Sequence, residues 1–467
     1  MKEKVLIANR GEIAIRIARA CEDLGLGFVM VYTEADRDSE HVQLYAGRDD
    51  QQVWRISSYT DPNEILSVAD HTQCTAIHPG YGFFSEDYRF ARRVTMRDRP
   101  LTFIGPKWEV IKDLGDKINT KRVANKLGIP TIPGTDAPIY NELEAEAVAD
   151  QLLREQLSQG IDNPSILVKA AAGGGGMGIE EVDRIEHFRR TYRQVKNYAK
   201  RQFGDGGVLI EQCLRDYSHI EVQLLCSKHG ERLHFGTRNC TIQSTGRQKR
   251  LEASPGFDDS CFHYDFNQQE VLQQIVDYSL KLASHVRYDN VGTWEWIVAR
   301  NGHPYLLEVN TRIQVENDVS ARTSYVKKKQ PNLIREQIRV ALGEKIGYPQ
   351  RQVQLKGACI EFRIVAEDTS RDFAPWIGTI NRFDFPEYDW SAVYTQVPSS
   401  RSYAIPSDFD PNLALALVWG DSIEEAKERG LRFIREVHIE GESAAGEPMM
   451  TNLRYLEDNI DRLLTFD

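Results

Sequence analysis

The chain predicts an α/β fold at its N-terminus that passes into mixed α+β architecture, on three observations. Val5 to Ala8, Gly11 to Leu24 and Phe28 to Tyr32 read as strand, helix and strand; a run from Gly173 to Gly176 divides the central region; and short strands follow about Lys345 before a final amphipathic helix. Ile13, Ile17 and Cys21 carry the helical spacing of the first unit. Ala76-Ile77 is a further strand that runs into His78-Pro79-Gly80-Tyr81-Gly82, where two glycines and a proline force a loop at the strand's C-terminal end. Open α/β sheets bind ligands beside such loops. Ser422 and Glu425 have capping-box spacing ahead of Ala426, Phe433 and Val437, and Gly441 to Pro448 reads as a surface loop.

At 467 residues the chain suggests three domains, given about 150 residues per domain. With 41% hydrophobic and 27% charged residues it reads as an ordinary globular protein. Seven cysteines, none in a Cys-x-x-Cys pair, read as reduced thiols and predict a cytoplasmic location. The N-terminus has too short an apolar run for a signal peptide, and no apolar stretch of membrane-spanning length occurs, so no membrane partner is expected. A net charge of -11 argues against nucleic acid, and Lys327-Lys328-Lys329 reads as solvated surface.

The segment Leu306 to Glu316 alternates with a period of two, which predicts a strand with Glu308, Asn310, Arg312, Gln314 and Glu316 on one face and Leu307, Val309, Ile313 and Val315 toward the core. Thr293 to Val298 sets Glu295 between two tryptophans, so its carboxylate can meet Glu308 on an adjacent strand. Two carboxylates and the Asn310 amide oxygen are hard ligands suited to Mg²⁺ or Mn²⁺. His219, Glu221 and Gln223 share one face of a third alternating strand. The glycine run follows a strand ending in Val168-Lys169, so its amides can close over phosphates while the lysine supplies charge. Lys117 and Lys249 would pass for surface lysines in other company.

These residues, in this order, resemble the biotin carboxylase family, the ATP-grasp subunits or domains of acetyl-CoA, propionyl-CoA and pyruvate carboxylases. The matching stretches include Ile7 to Ala14, His78 to Phe83 with Ser85-Glu86, Ile104 to Pro106, Gly115 to Lys117, Glu308 to Glu316 and Glu361 to Asp368. The resemblance implies a Rossmann-like N-terminal domain over 1–115, an ATP-grasp domain over 116–337 with a mobile lid at about 135–205, and a C-terminal α+β domain over 338–467. It implies that ATP phosphorylates bicarbonate to carboxyphosphate and that the resulting CO₂ is captured by carrier-bound biotin. Lys117, Lys169, Gly175, Gly176, Glu211, Gln212, Cys213, Leu214, His219, Arg247, Glu295 and Glu308 would contact ATP. Glu295, Glu308 and Asn310 would hold the metal, and Lys249, Arg312, Gln314 and Val315 would grip bicarbonate. Glu316 would be the general base, and Arg312 with Arg363 would stabilise the biotin enolate.

The chain departs from the family pattern at several points. Arg247 stands where a histidine is usual, in a stretch one residue longer before Lys249; Asn317-Asp318 replaces His-Pro; Gln212 replaces a lysine; and Asp410 to Ala416 lacks a customary lysine. No lysine sits among methionines as a biotinylation site would require, and no carboxyltransferase region is recognisable. A separate biotin carboxyl carrier protein and carboxyltransferase subunits are therefore the implied partners of a homodimer. The competing readings are another ATP-grasp ligase, which has no need of Arg363, and a nucleotide-binding regulatory subunit that has lost catalysis.

Overall fold

The computed structural model describes residues 3–47, 52–171, 178–244, 248–409 and 411–466. The first layer is a parallel five-stranded sheet in the spatial order Val53–Arg55, Gly27–Tyr32, Lys4–Ile7, Ala76–His78, Thr102–Phe103. Its central strands Lys4–Ile7 and Gly27–Tyr32 are nearly continuous apolar runs because helices cover both faces. The chain winds outward in both directions from Lys4–Ile7, so the loops after this strand and after Ala76–His78 diverge and leave a crevice between them. Asn9 bridges that crevice, donating from Nδ2 to the carbonyls of Pro79 at 2.6 Å and Tyr81 at 2.7 Å. Gly80 makes the approach possible: its φ is +64°, and a Cβ there would lie 2.7 Å from the Asn9 amide nitrogen.

A smaller antiparallel sheet joins Ile179–Val182, Ile166–Ala170 and Val208–Gln212. It packs against the helices Glu142–Ser158 and Ile185–Phe203 around its own core of Ile166, Val168, Phe188, Tyr192 and Ile210. The largest sheet is antiparallel and eight-stranded, in the order Pro304–Asn310, Val291–Ala299, Tyr217–Cys226, Arg232–Gln243, Lys249–Ser254, Ala358–Val365, Asn412–Gly420, Ser391–Thr395. It crosses the position between 337 and 338, because Lys249–Ser254 pairs with Ala358–Val365. One continuous sheet thus carries central and C-terminal residues side by side.

The segment Leu306 to Glu316 is not one strand. The strand is Pro304–Asn310, residues 311–316 are irregular, and a helix follows at Asn317–Arg322. The physical reason is an outside grip: Glu86, from the loop after the strand Ala76–His78, accepts from the Thr311 backbone N–H at 3.0 Å and from Arg312 Nε at 2.8 Å. Those bonds replace a strand partner. Within the strand the register shifts between Glu295/Glu308 and Trp296/Leu306, so Leu306 is the core residue and Leu307, expected there, is half-buried against the cleft.

The C-terminal helix is Ile423–Arg435, with the Ser422 side chain accepting from the Glu425 N–H. Glu425 returns its carboxylate to the Asp421 N–H at 2.6 Å. The chain does not end with it, since the strand His438–Glu442 and the helix Leu453–Asn459 follow. Gly441 belongs to that strand and pairs with Ile380, so only part of the stretch expected as a loop is one. All seven cysteines are free. Among the described residues, no helix is long and apolar enough to cross a membrane.

Trp294 and Trp296 anchor the large sheet from below. Both are fully buried; Trp296 stacks on Tyr278 with ring centroids 5.9 Å apart and donates from Nε1 to Ser279 Oγ at 3.1 Å. Trp296→Ala should therefore cost about 3–5 kcal/mol of stability, read as a lowered denaturant midpoint. A loss within about 0.5 kcal/mol would contradict this packing.

Candidate active site

Every predicted site residue that lies among the described ones lines one open cleft between the parallel sheet, the small sheet and the large sheet. Gly175, Gly176 and Arg247 lie outside the described residues. The side chains fall into three groups along the cleft.

Under the small sheet, Glu211 collects two lysines: Lys169 Nζ at 2.5 Å and Lys121 Nζ at 3.0 Å. Burial pushes the Glu211 carboxyl up, but the two ammonium groups pull it below its ordinary range. The pair of lysines is thus held at the cleft wall with a net positive charge. The following segment is fixed by its backbone, with the Gln212 N–H donating to Pro133 O at 2.8 Å and the Cys213 N–H to Ser165 O at 2.9 Å. Leu214 completes this wall. Across the cleft Lys117 pairs with Glu308.

The second group is centred on Lys249. Its ammonium touches Glu221, lies 2.7 Å from Glu316 Oε1 and 3.4 Å from Glu295 Oε1. Burial pulls the lysine down, and the three carboxylates override it and push it well above the ordinary lysine range. Reciprocally, burial raises Glu316 while Lys249 and Arg363 lower it further, so it stays ionised below its ordinary value. Glu295 is held down in the same way by Lys249 and His219, whose Nε2 lies 3.0 Å from Glu295 Oε2. Glu295 and Glu308 are register partners across two antiparallel strands, as their alternation requires. Asn310 donates from Nδ2 to Glu295 at 2.5 Å, and its amide oxygen accepts from Arg312 at 3.2 Å. Gln314 is committed at both ends, donating to Glu295 at 3.0 Å and accepting from Arg238.

The third group is the irregular segment 311–316. Arg312 points from it to Glu86, while Arg16 and Asn317 fix its far side: Arg16 donates to Asn317 Oδ1 at 3.0 Å and to the Val315 carbonyl at 3.4 Å, and Asn317 donates to Gln314 O at 2.7 Å. The departure at Asn317 is thus absorbed by a new set of bonds. Arg363 arrives from Ala358–Val365 with its NH2 3.0 Å from Glu316 Oε2.

Sequence reasoning left out of the site four residues on which it depends. Glu221 was visible, being on the same strand face as His219. Arg238 was not: it sits between Thr237 and Asn239 with no motif around it. Yet it is fully buried and donates to Glu221 at 2.8 Å, Gln223 at 2.9 Å and Ser320 at 3.0 Å. Glu252, fully buried beside Arg363, carried no signal beyond its spacing on its strand, and Glu361, equally buried there, opens the matching stretch Glu361 to Asp368 but was given no role.

Family profiles match the chain in three consecutive parts. The biotin carboxylase N-terminal domain matches residues 1–111, the carbamoyl-phosphate synthase L chain ATP-binding domain 116–348, and the biotin carboxylase C-terminal domain 361–459. The 2-oxoglutarate carboxylase small subunit of Hydrogenobacter thermophilus is 35% identical over 100% of this chain and 92% of its own. The chain belongs to the biotin carboxylase family. A biotin carboxylase from Nostoc is also 35% identical, over 98% of this chain and 97% of its own. Among solved structures, the Campylobacter jejuni biotin carboxylase complex with β,γ-ATP superposes with a TM-score of 0.85 at 29% identity, over 99% of this chain and 95% of that one. The biotin carboxylase domain dimer of the Hydrogenobacter 2-oxoglutarate carboxylase, in complex with MgADP, ADP and bicarbonate, gives 0.84 at 34% identity, over 98% and 94%. The family membership fixes the fold as ATP-grasp and the chain as an ATP-dependent ligase.

The lowered carboxyl of Glu316 gives a signed expectation. Its stabilising contribution is fully present above the unfolded carboxyl value of about 4.3 and is lost as the pH falls through the lower folded value. Lys249→Met removes the cation responsible, so the variant, already less stable at neutral pH, should lose less further stability than the wild type as the pH falls below about 4.3. An equal loss on acidification in the two proteins would contradict the role given to Lys249.

Proposed function

We propose that this biotin carboxylase uses MgATP to phosphorylate bicarbonate and transfers the resulting CO₂ to biotin on a carrier protein, with the residue roles that follow. The observation that carries the reading is the contact set of Glu316. Its Oε1 meets Lys249 and its Oε2 meets Arg363, so one carboxylate joins the cation of the first step to that of the second.

Glu316, kept ionised, takes the bicarbonate proton while Lys249 and Arg312 hold the anion, and the bicarbonate oxygen attacks the γ-phosphorus with ADP leaving. Val315 and Gln314 shape the bicarbonate pocket, the peptide of Val315 being braced from behind by Arg16. Carboxyphosphate then breaks into CO₂ and phosphate. The released phosphate takes the ureido N–H proton of biotin, and Arg363 with Arg312 stabilises the enolate that captures the CO₂. Charge placed where charge develops dominates both steps.

Lys117 and Lys169 neutralise nucleotide phosphates, with Gly175 and Gly176 covering them, and the 211–214 segment, His219 and Arg247 contact the nucleotide. Glu295 and Glu308 are register partners on paired strands, and the Asn310 oxygen, which here accepts from Arg312, lies two residues on from Glu308, so this set of hard oxygen donors is the one that would hold Mg²⁺ or Mn²⁺. The ion would screen the phosphate charges.

The domains are taken as 1–115, 116–337 and 338–467, with residues about 135–205 closing over ATP as a lid. The free cysteines support a cytoplasmic location. Relatives that are named as single subunits of 2-oxoglutarate and pyruvate carboxylases support a separate biotin carboxyl carrier protein and carboxyltransferase subunits. The dimeric Hydrogenobacter structure supports a homodimer.

ADP release with MgATP and bicarbonate, with and without free biotin, tests the reading. Bicarbonate-dependent turnover stimulated by biotin is expected, and Glu316→Ala or Arg363→Ala should each lose about 10²–10³ in kcat. Turnover indifferent to biotin, or a fully active Arg363→Ala variant, would point to a different acceptor. Closure of the lid predicts that hydrogen exchange over Ile166–Ala170 slows when ATP is added; unchanged exchange would contradict it.

A further inference from the structure

The cations of the cleft meet more carboxylates than they can neutralise. Glu221, Glu252, Glu295, Glu316 and Glu361 gather around Lys249, Arg238 and Arg363, five acids against three permanent cations. Two of the acids do not contact substrate-facing groups other than Arg363. Glu252 and Glu361 are register partners on the strands Lys249–Ser254 and Ala358–Val365, and both are 0% exposed. Among the described residues, no hydrogen bond reaches any of their four carboxyl oxygens. The Arg363 NH2 lies 2.5 Å from Glu252 Oε1 without hydrogen-bond alignment, and its Nε lies 3.7 Å from Glu361 Oε1. The same NH2 donates to Glu316.

Two carboxylates side by side, shielded from solvent and without hydrogen-bond donors, cannot both remain ionised. A single guanidinium that already serves a third carboxylate does not change this. We propose that Glu252 and Glu361 share one proton in the resting enzyme and act as a positioning pair for Arg363, giving the guanidinium one counter-charge from below and leaving it available to Glu316 and the substrate.

The surrounding charges agree. Burial raises Glu252, Arg363 and Lys249 lower it, Glu316 and Glu221 raise it, and it comes to about 7. Burial and the charges of Glu252 and Glu316 push Glu361 well up against Arg363 and the more distant Arg16. Cys240, the remaining titratable neighbour, is itself pushed up by burial and stays a neutral thiol. The pair's charge state is a property of the fold, whereas its consequence for turnover rests on the proposed carboxylation.

Infrared spectroscopy of the full-length protein reads the shared proton without any assay of activity. The wild type should show one buried carboxylic-acid C=O band at neutral pH that disappears as the pH rises. The band should be lost in Glu252→Gln and also in Glu361→Gln, since the single glutamate left in each then carries the charge. In biotin-stimulated ADP release, the alkaline loss shown by the wild type should be absent from both variants, which cannot acquire the second charge. No acid band in the wild type, or a band that survives in either variant, overturns the proposal; the wild-type titration decides even if a variant fails to fold. A clear acid band together with turnover indifferent to biotin would instead uphold the pair and overturn the carboxylation.

Discussion

The structure turns on one buried ammonium. Lys249 reaches three carboxylates that come from three different places: Glu221 on the strand Tyr217–Cys226, Glu295 on Val291–Ala299, and Glu316 at the end of the irregular segment. Glu221, Glu295 and Glu316 are each at most 6% exposed. Without Lys249 they would repel one another in a medium of low dielectric, and the cost of an unpaired buried charge is several kcal/mol. Arg238 relieves part of that charge from beneath, by binding Glu221 and Gln314 where no solvent reaches. A cluster built this way keeps Glu316 ionised and aimed while remaining rigid, which a proton acceptor needs before substrate arrives.

The rest of the fold brings charges to that point from separate layers. The parallel sheet contributes no catalytic group of its own, but its loops send Glu86 to Arg312, and its first helix sends Arg16 to the 315–317 turn. The continuous large sheet sets Arg363 next to strand Lys249–Ser254, so a C-terminal residue lies within 3.0 Å of Glu316. The small sheet places Lys169 over the opposite wall of the cleft. Loss of register in any one layer would misplace a charge in the middle of the cleft.

Much of this was legible in the sequence because strand alternation is a strong signal. The facing of Glu295 and Glu308, the tryptophans behind them and the company of His219 all follow from a period of two. The parallel sheet followed from apolar runs separated by helix and turn signals. What was not legible depends on distant partners. The pattern from Leu306 to Glu316 continues past Asn310 while the backbone does not, because Glu86, more than 220 residues earlier, captures the chain. The register shift at Leu306-Leu307 is likewise invisible to a count of alternating residues. Arg238 and Glu252 resemble ordinary polar strand positions until the sheet closes over them. Their burial is a property of the assembled layers, not of any local spacing.

A double-mutant cycle between Lys249 and Glu316 measures how far the two groups depend on each other. Lys249→Met, Glu316→Gln and the double variant would be unfolded in denaturant under identical conditions. A shared buried charge cluster predicts a coupling free energy toward the upper end of the range of about 0.5–3 kcal/mol found for contacting residues, the double variant being less destabilised than the sum of the singles. Additivity within about 0.3–0.5 kcal/mol would show that the two groups do not depend on each other, and would contradict the account.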